Sequence, residues 1–238
     1  MNKKIIFVFI LFVLSTKLFA TPSTVYWTPC TTYFQPFMKG HITYDSYVRG
    51  KSMLQNDYGF TVGVLPFDKV QMEIGYDALL PVTNSNDEAS FVNAKIGWSE
   101  ETLLPFGFAV GIFNKGFRPG VTTYDIFYAV VGKTFNKIGT FAAGVYSGNS
   151  KILVNEDGDA DNTGLMLSYS SPKFSHFVIA ADLMSGKNSL SAWGLGLYTY
   201  FTDSISLLVG PVFPFAKTFT GNGHTMWTVQ IDIDFNMI

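Results

Sequence analysis

Along residues 69–80 apolar and polar side chains alternate. Val70, Met72, Ile74, Tyr76 and Ala78 share one face of an extended chain, and Gln71, Glu73, Gly75 and Asp77 share the other. Residues 225–235 repeat the pattern, with Trp227, Val229, Ile231, Ile233 and Phe235 set against Thr228, Gln230, Asp232 and Asp234. A period of two predicts strands, because a helix would spread those charges around its whole circumference. Weaker alternation at 38–48, 58–64, 92–98, 106–112, 124–133, 141–147, 165–169, 177–183, 193–201 and 205–213 brings the expected number of strands to about twelve, with ten as the lower count. The links between them alternate as well. Short ones fall at 66–68, 100–104, 136–137, 171–173 and 202–203, and longer ones at 50–56, 81–90, 114–121, 148–162, 185–189 and 214–224. The expected architecture is an all-β, up-and-down antiparallel sheet with both ends of the chain on the tight-turn side.

Composition turns that sheet into a membrane structure. The chain is 47% hydrophobic and only 14% charged, yet beyond the first twenty positions no apolar run approaches the length of a spanning helix, about twenty residues. Apolar residues dispersed by alternation are the signature of transmembrane strands closed into a barrel. Aromatics support the assignment. Tyr58, Tyr76, Tyr124, Trp193 and Trp227 fall near the long-loop ends of their strands and Trp98, Phe106, Phe201 and Phe235 near the tight-turn ends, which predicts two girdles at the bilayer interfaces.

The amino end predicts export. Asn2-Lys3-Lys4, the apolar run 5–14 and the closing Leu18-Phe19-Ala20 have the three-part layout of a signal peptide cleaved after Ala20. Removing Lys3, Lys4 and Lys17 from 16 bases leaves 13 against 18 acids, so the mature chain carries a net charge of about −5. Nucleic acid, which needs a basic partner, is excluded. Cys30 follows Thr28-Pro29, not a small-residue lipidation box, and a single cysteine forms no internal disulfide. Residues 21–37, broken by Pro22, Pro29 and Pro36, are unsuited to a ladder strand. They lie either in the lumen as a small plug or in the periplasm.

Across the whole mature stretch the sequence resembles the bacterial outer-membrane β-barrel superfamily. The ending Trp227, Val229, Ile231, Ile233, Phe235 looks like the terminal strand read by the barrel-assembly machinery, although Asn236-Met237-Ile238 extend past the aromatic. The resemblance implies an outer-membrane location, lipid and the assembly machinery as partners, and no cofactor.

Candidate chemistry is sparse. The acidic loop 155–162 spaces its acids like a calcium loop, but the twelfth position is Met166 where a Glu is needed, so an acidic solvated loop is expected. His41 and His176 fall at inward positions on strands that are not neighbours, which favours polar filling over a ligand pair. Ser185, Asn188 and His224 lack the spacing of an acyl-transfer set, and no enzyme is expected. Glycines alternating with apolar residues, as in Gly194-Leu195-Gly196-Leu197, read as thin lumen positions. The functional surface is then the lumen, whose expected lining is Lys39, Asp45, Arg49, Glu73, Asp77, Lys95, Asp125, Lys133, Asp182, Asp232 and Asp234. Asp77 is expected to pair with Lys95, from a hairpin that sets Leu80 opposite Val92. A charged interior of about twelve strands predicts a narrow passive channel for small polar solutes or ions. The alternatives are a closed structural or adhesion barrel and a lipid-modifying enzyme.

Overall fold

The computed structural model describes residues 24–81, 89–216 and 225–237. Twelve strands form one closed antiparallel barrel: β1 Lys39–Arg49, β2 Ser52–Gly63, β3 Gln71–Pro81, β4 Ala89–Trp98, β5 Gly107–Gly116, β6 Thr123–Phe135, β7 Gly139–Ser147, β8 Thr163–Ser170, β9 Phe177–Met184, β10 Ala192–Tyr200, β11 Ile205–Pro214 and β12 Met226–Asn236. Each strand pairs with its chain neighbours, and β12 closes on β1 with Lys39 opposite Asn236 and Val48 opposite Trp227. In hydrocarbon an open edge would leave a row of backbone groups without partners, and closure removes it.

Alternation sorts the residues as the two clearest strands predict. On β12 Thr228, Gln230, Asp232 and Asp234 are buried in the lumen while Trp227, Ile231 and Ile233 are exposed on the outside. On β3 Glu73 is buried while Ile74, Tyr76 and Leu80 are exposed. The outer wall carries Phe127, Val131, Val145, Leu165, Leu167, Leu195 and Leu197 in contact with the surroundings, an apolar surface that water would not tolerate and lipid does. Aromatic pairs mark both rims. Stacked Trp193–Phe213 (4.2 Å) stands toward one, and Trp98–Phe108 and Phe141–Tyr169 (4.9 Å each) toward the other, while Tyr44–Tyr58 (5.1 Å) lies at mid-wall.

Three details differ from the expectations. Residues 50–56 are not a long loop: Gly50 (φ 60°) and Lys51 make a two-residue turn and β2 begins at Ser52. Polar Gln55, expected in that loop, and Asp57, between it and the expected strand 58–64, face inward on β2. Links of 64–70 and 99–106 on the rim that holds both wall ends also weaken the contrast in loop length. Second, the faces of β6 are reversed. Ile126, Tyr128 and Val130 are buried inside and Phe127 and Val131 are exposed outside, so Asp125 and Lys133 are not lumen residues and Tyr124 packs inward against Phe91 at 5.9 Å. Asp125 and Lys133 occupy opposite ends of the strand, where a charge reaches water from the outer face as readily as from the inner. Asp125 meets Lys115 at 3.5 Å, and Lys133 meets Glu100 at 2.5 Å and Glu101 at 3.3 Å. Third, Phe106 and Phe201 of the predicted girdle lie in turns. The expected leader 1–20 and the loops 82–88 and 217–224, with His224, lie outside the described residues.

Candidate functional site: the lumen and its strap

Residues 24–37 run through the inside of the barrel as a strap. Tyr26, Thr28 and Cys30 are fully buried, and Gln35 nearly so. With no ladder of its own, the strap must satisfy its backbone against the wall, and the wall supplies acceptors. Asp182 Oδ2 accepts from three successive backbone N–H groups, Tyr26 (3.1 Å), Trp27 (2.8 Å) and Thr28 (2.7 Å), and from the Thr28 hydroxyl (3.0 Å). Glu73 Oε2 accepts from Gln35 N (2.8 Å). Ser168 Oγ donates to Cys30 O (2.6 Å), and Tyr198 OH to Val25 O (3.1 Å).

Steric fit matches the bonding. The Tyr26 ring lies where side chains at Gly194 and Gly196 would be, Thr32 fills the space beside Gly107 and Gly132, and the Gln35 and Pro36 carbonyls press on Gly63. The glycines that read as thin lumen positions are the bed of the strap. Apolar side chains complete the seal on the β6–β11 side: one cluster joins Val25 and Tyr26 to Tyr198, Leu208 and Val212, and another joins Cys30 to Ile126, Val130, Met166 and Met184. Burial pushes the Cys30 thiol up to about 12, which makes it inert while the strap is seated.

The other half of the wall is polar. His41 sits between Asp234 (Nδ1 to Oδ1, 2.8 Å) and Asp232 (Nε2 to Oδ1, 3.3 Å), all three buried. His176, in the link 171–176, is not brought to it. Lys95 pairs with Glu73 at 3.1 Å and stands 5.1 Å from the Phe34 ring centre. The expected Asp77–Lys95 pair is therefore corrected. Leu79 faces Ala89, four positions from the assumed register, which sets Glu73 against Lys95 and Asp77 against Phe91, and Asp77 instead accepts from the Asn93 amide. The strands reach to Pro81 and begin at Ala89, nearer the rim than a hairpin opening at Leu80 and Val92, and the register shifts with the point of closure.

Nearer the loop-rich rim, Asp45, Asp57 and Asp77 come together on β1, β2 and β3, with Asp45 directly opposite Asp57. Thr43 and Tyr47 donate to Asp45 at 2.6 and 3.3 Å. These carboxylates line a cavity of about 140 Å³ beside the strap, with Tyr26 and Trp27. Above it opens a vestibule of about 510 Å³ that Arg49 faces, and on the far side of the strap a second one of about 340 Å³ is lined by Tyr33, Thr134, Lys137, Lys173 and Tyr200. Of the predicted lining, Lys39, Asp45, Arg49, Glu73, Asp77, Lys95, Asp182, Asp232 and Asp234 lie on the inner face of their strands, and Asp125 and Lys133 do not. Sequence reasoning missed Asp57, although Gln55, Asp57, Gly59 and Thr61 alternate with Asn56, Tyr58, Phe60 and Val62. Ser185 and Asn188 hold loop structure: Ser185 Oγ accepts from Leu165 N, and Asn188 Nδ2 donates to Asp161 O.

No protein-family model matches the sequence, and none of the curated proteins matches it. Among solved structures the NanC porin is similar with a TM-score of 0.54 at 12% identity, over 82% of this chain and 98% of that one. The KdgM porin gives 0.53 at 8% identity, over 82% and 99%. Mutants of the Rhodopseudomonas blastica porin align less well, at 0.42–0.43 and 17–18%, and the chain spans about half of their length, 55%. At such identities the likeness is one of fold: this barrel is built like porins of its own size.

Proposed function

We propose that the protein is an outer-membrane barrel that acts as a narrow passive channel for small polar solutes or ions, constricted by its own residues 24–37. The observation that carries this reading is the two-sided lumen. The strap seals the apolar half of the wall, while the half formed by β12 and β1–β4 keeps a polar stripe, from Asp234 and Asp232 past Glu73 to Asp77, Asp57 and Asp45, with cavities on both sides of the strap. A barrel meant only as a scaffold has no use for carboxylates withdrawn from water, since each costs several kcal/mol unless partnered or wet. The porin-like fold of similar size supports the same reading and an outer-membrane location. Export by the leader 1–20, and recognition of Trp227, Val229, Ile231, Ile233 and Phe235 by the assembly machinery, belong to the same proposal.

Exchanging Asp125 for Asp57 leaves seven inward acids, and removing Lys133 leaves Lys39, Arg49 and Lys95 as bases on the inner faces of strands, with Arg118, Lys137 and Lys173 lining the wider vestibules at the two ends and the acids dominating the narrow middle. The expected selectivity is cationic, because fixed charges in a narrow low-dielectric passage are poorly screened. Glu73 is already neutralised by Lys95, so Asp77→Asn should lower cation preference more than Glu73→Gln. Single-channel recording of reconstituted, folded protein tests this. No conductance above the bare bilayer leaves the closed structural barrel as the better account.

A further inference from the structure

The 140 Å³ cavity and the outer vestibule of about 510 Å³ are contiguous, for Trp27, Tyr47, Gln55, Leu79, Asn114 and Leu190 line both. Their charges are opposite. Asp45, Asp57 and Asp77 face the inner chamber, where Glu73 is paired with Lys95 and Asp232 with His41, and Arg49 and Arg118 face the outer. Buried polar atoms without a hydrogen-bond partner lie on each side: below, Asp57 Oδ1 and Lys95 Nζ, the latter held in its ion pair with Glu73, and above, Arg49 Nη1. A polar atom withdrawn from water and left unpaired is costly, and such atoms mark places where a partner belongs.

Both residues belong to the β1–β2 hairpin. Asp57 stands opposite Asp45, and Arg49 lies four positions further along β1 toward the loop-rich rim. At about 3.3 Å per residue the two charged levels are roughly 13 Å apart at the backbone. The reach of the arginine side chain reduces the span left to a ligand to about two or three residues of extended chain. Between the levels the wall is aromatic and apolar: Trp27 meets Tyr47 edge-on at 5.7 Å, with its indole N–H fixed on Leu190 O at 2.9 Å, and Leu54 and Leu79 complete the surface. A simple cation would satisfy only the inner level. A simple anion would face three carboxylates beneath it, and a free amino acid carries its two charges on one Cα, too close together to reach both.

We propose that this two-level cavity binds a zwitterion of di- or tripeptide size with an apolar side chain, its ammonium toward Asp57 and its carboxylate toward Arg49. The combined volume falls in the range of small-molecule sites, about 300–1,000 Å³. The assignment rests on the lumen being the functional surface of the barrel.

The test uses the full mature protein folded in detergent, with folding checked by heat-dependent gel mobility. It is titrated calorimetrically with leucyl-phenylalanine, the N-acetyl derivative and the C-terminal amide. The free dipeptide is expected to bind at least about tenfold more tightly than either derivative, a difference of about 1.4 kcal/mol. Arg49→Gln should abolish the preference for the free carboxylate and keep that for the free amine, and Asp57→Asn should do the reverse. Equal binding of all three compounds, no binding of any, or loss of both preferences together in both folded variants overturns the proposal. Conductance from a preparation that binds no dipeptide removes the site and leaves the channel standing, whereas selective binding without conductance does the opposite.

Discussion

Asp182 is the place where the strap can be released without disturbing the barrel. Its Oδ2 accepts three backbone N–H groups and a hydroxyl between 2.7 and 3.1 Å from a side chain that is only 4% exposed. Hydrogen bonds to a charged acceptor contribute about 1.5–3 kcal/mol each. They share one oxygen and are not additive, so Asp182→Ala should weaken the seat of the strap by about 3–4 kcal/mol. At 1.4 kcal/mol per factor of ten, that raises the unseated population on the order of a few hundredfold. Cys30 reports it directly, because it is the single cysteine, is part of the strap and fully buried against the wall, and has a thiol that burial holds at about 12. A maleimide should therefore modify the wild type very slowly. Labelling of the alanine variant should accelerate by a comparable factor while heat-dependent mobility still shows a folded barrel. Loss of the Asp182 charge by itself eases thiolate formation. Asp182→Asn removes the same charge but keeps an acceptor oxygen, so its labelling rate should fall between the other two. An unchanged rate in folded Asp182→Ala would refute the idea that this carboxylate holds the strap.

Gly194→Val places a branched side chain in the space occupied by the Tyr26 ring and should likewise speed Cys30 labelling; in a Tyr26→Ala background the valine has no ring to displace and should speed labelling no further, and a further acceleration there would refute the steric account. Phe235→Ala should lower the yield of heat-modifiable, folded barrel more than Met237→Ala, because the Phe235 ring covers Gly40 and stands 6.4 Å from Phe60 whereas Met237 lies beyond β12 and is exposed; equal yields would mean that the terminal aromatic has no special part in assembly.

How much of the site was legible depended on the neighbours of each residue. Glu73 lies between Met72 and Ile74 on β3 and Asp232 between Ile231 and Ile233 on β12, and such large apolar outward neighbours place both inward. Asp125 and Lys133 gave the same kind of signal from the two ends of β6, where both faces reach water, and there the charges misled: the large apolar Phe127 and Val131 were the better guide to the lipid side. Asp57 was hidden by a polar run that resembles a loop because its outward partner, Asn56, is polar as well.

The sequence by itself determined the barrel. Alternation with a period of two, apolar residues never gathered into a spanning run and an even number of strands leave few alternatives to a closed antiparallel wall in lipid, where every backbone group must find a partner. Only the tertiary structure decided what fills it. The pairing of Glu73 with Lys95 depends on the register of a hairpin. The trio of Asp45, Asp57 and Asp77 depends on three strands lying side by side, and the seating of residues 24–37 depends on Asp182 and Gly194, more than 150 positions away in the chain. A strap without periodicity carries no local mark of its destination. Its place follows from which wall leaves room for a tyrosine ring and offers a carboxylate to three N–H groups, and those features exist only once the barrel has closed.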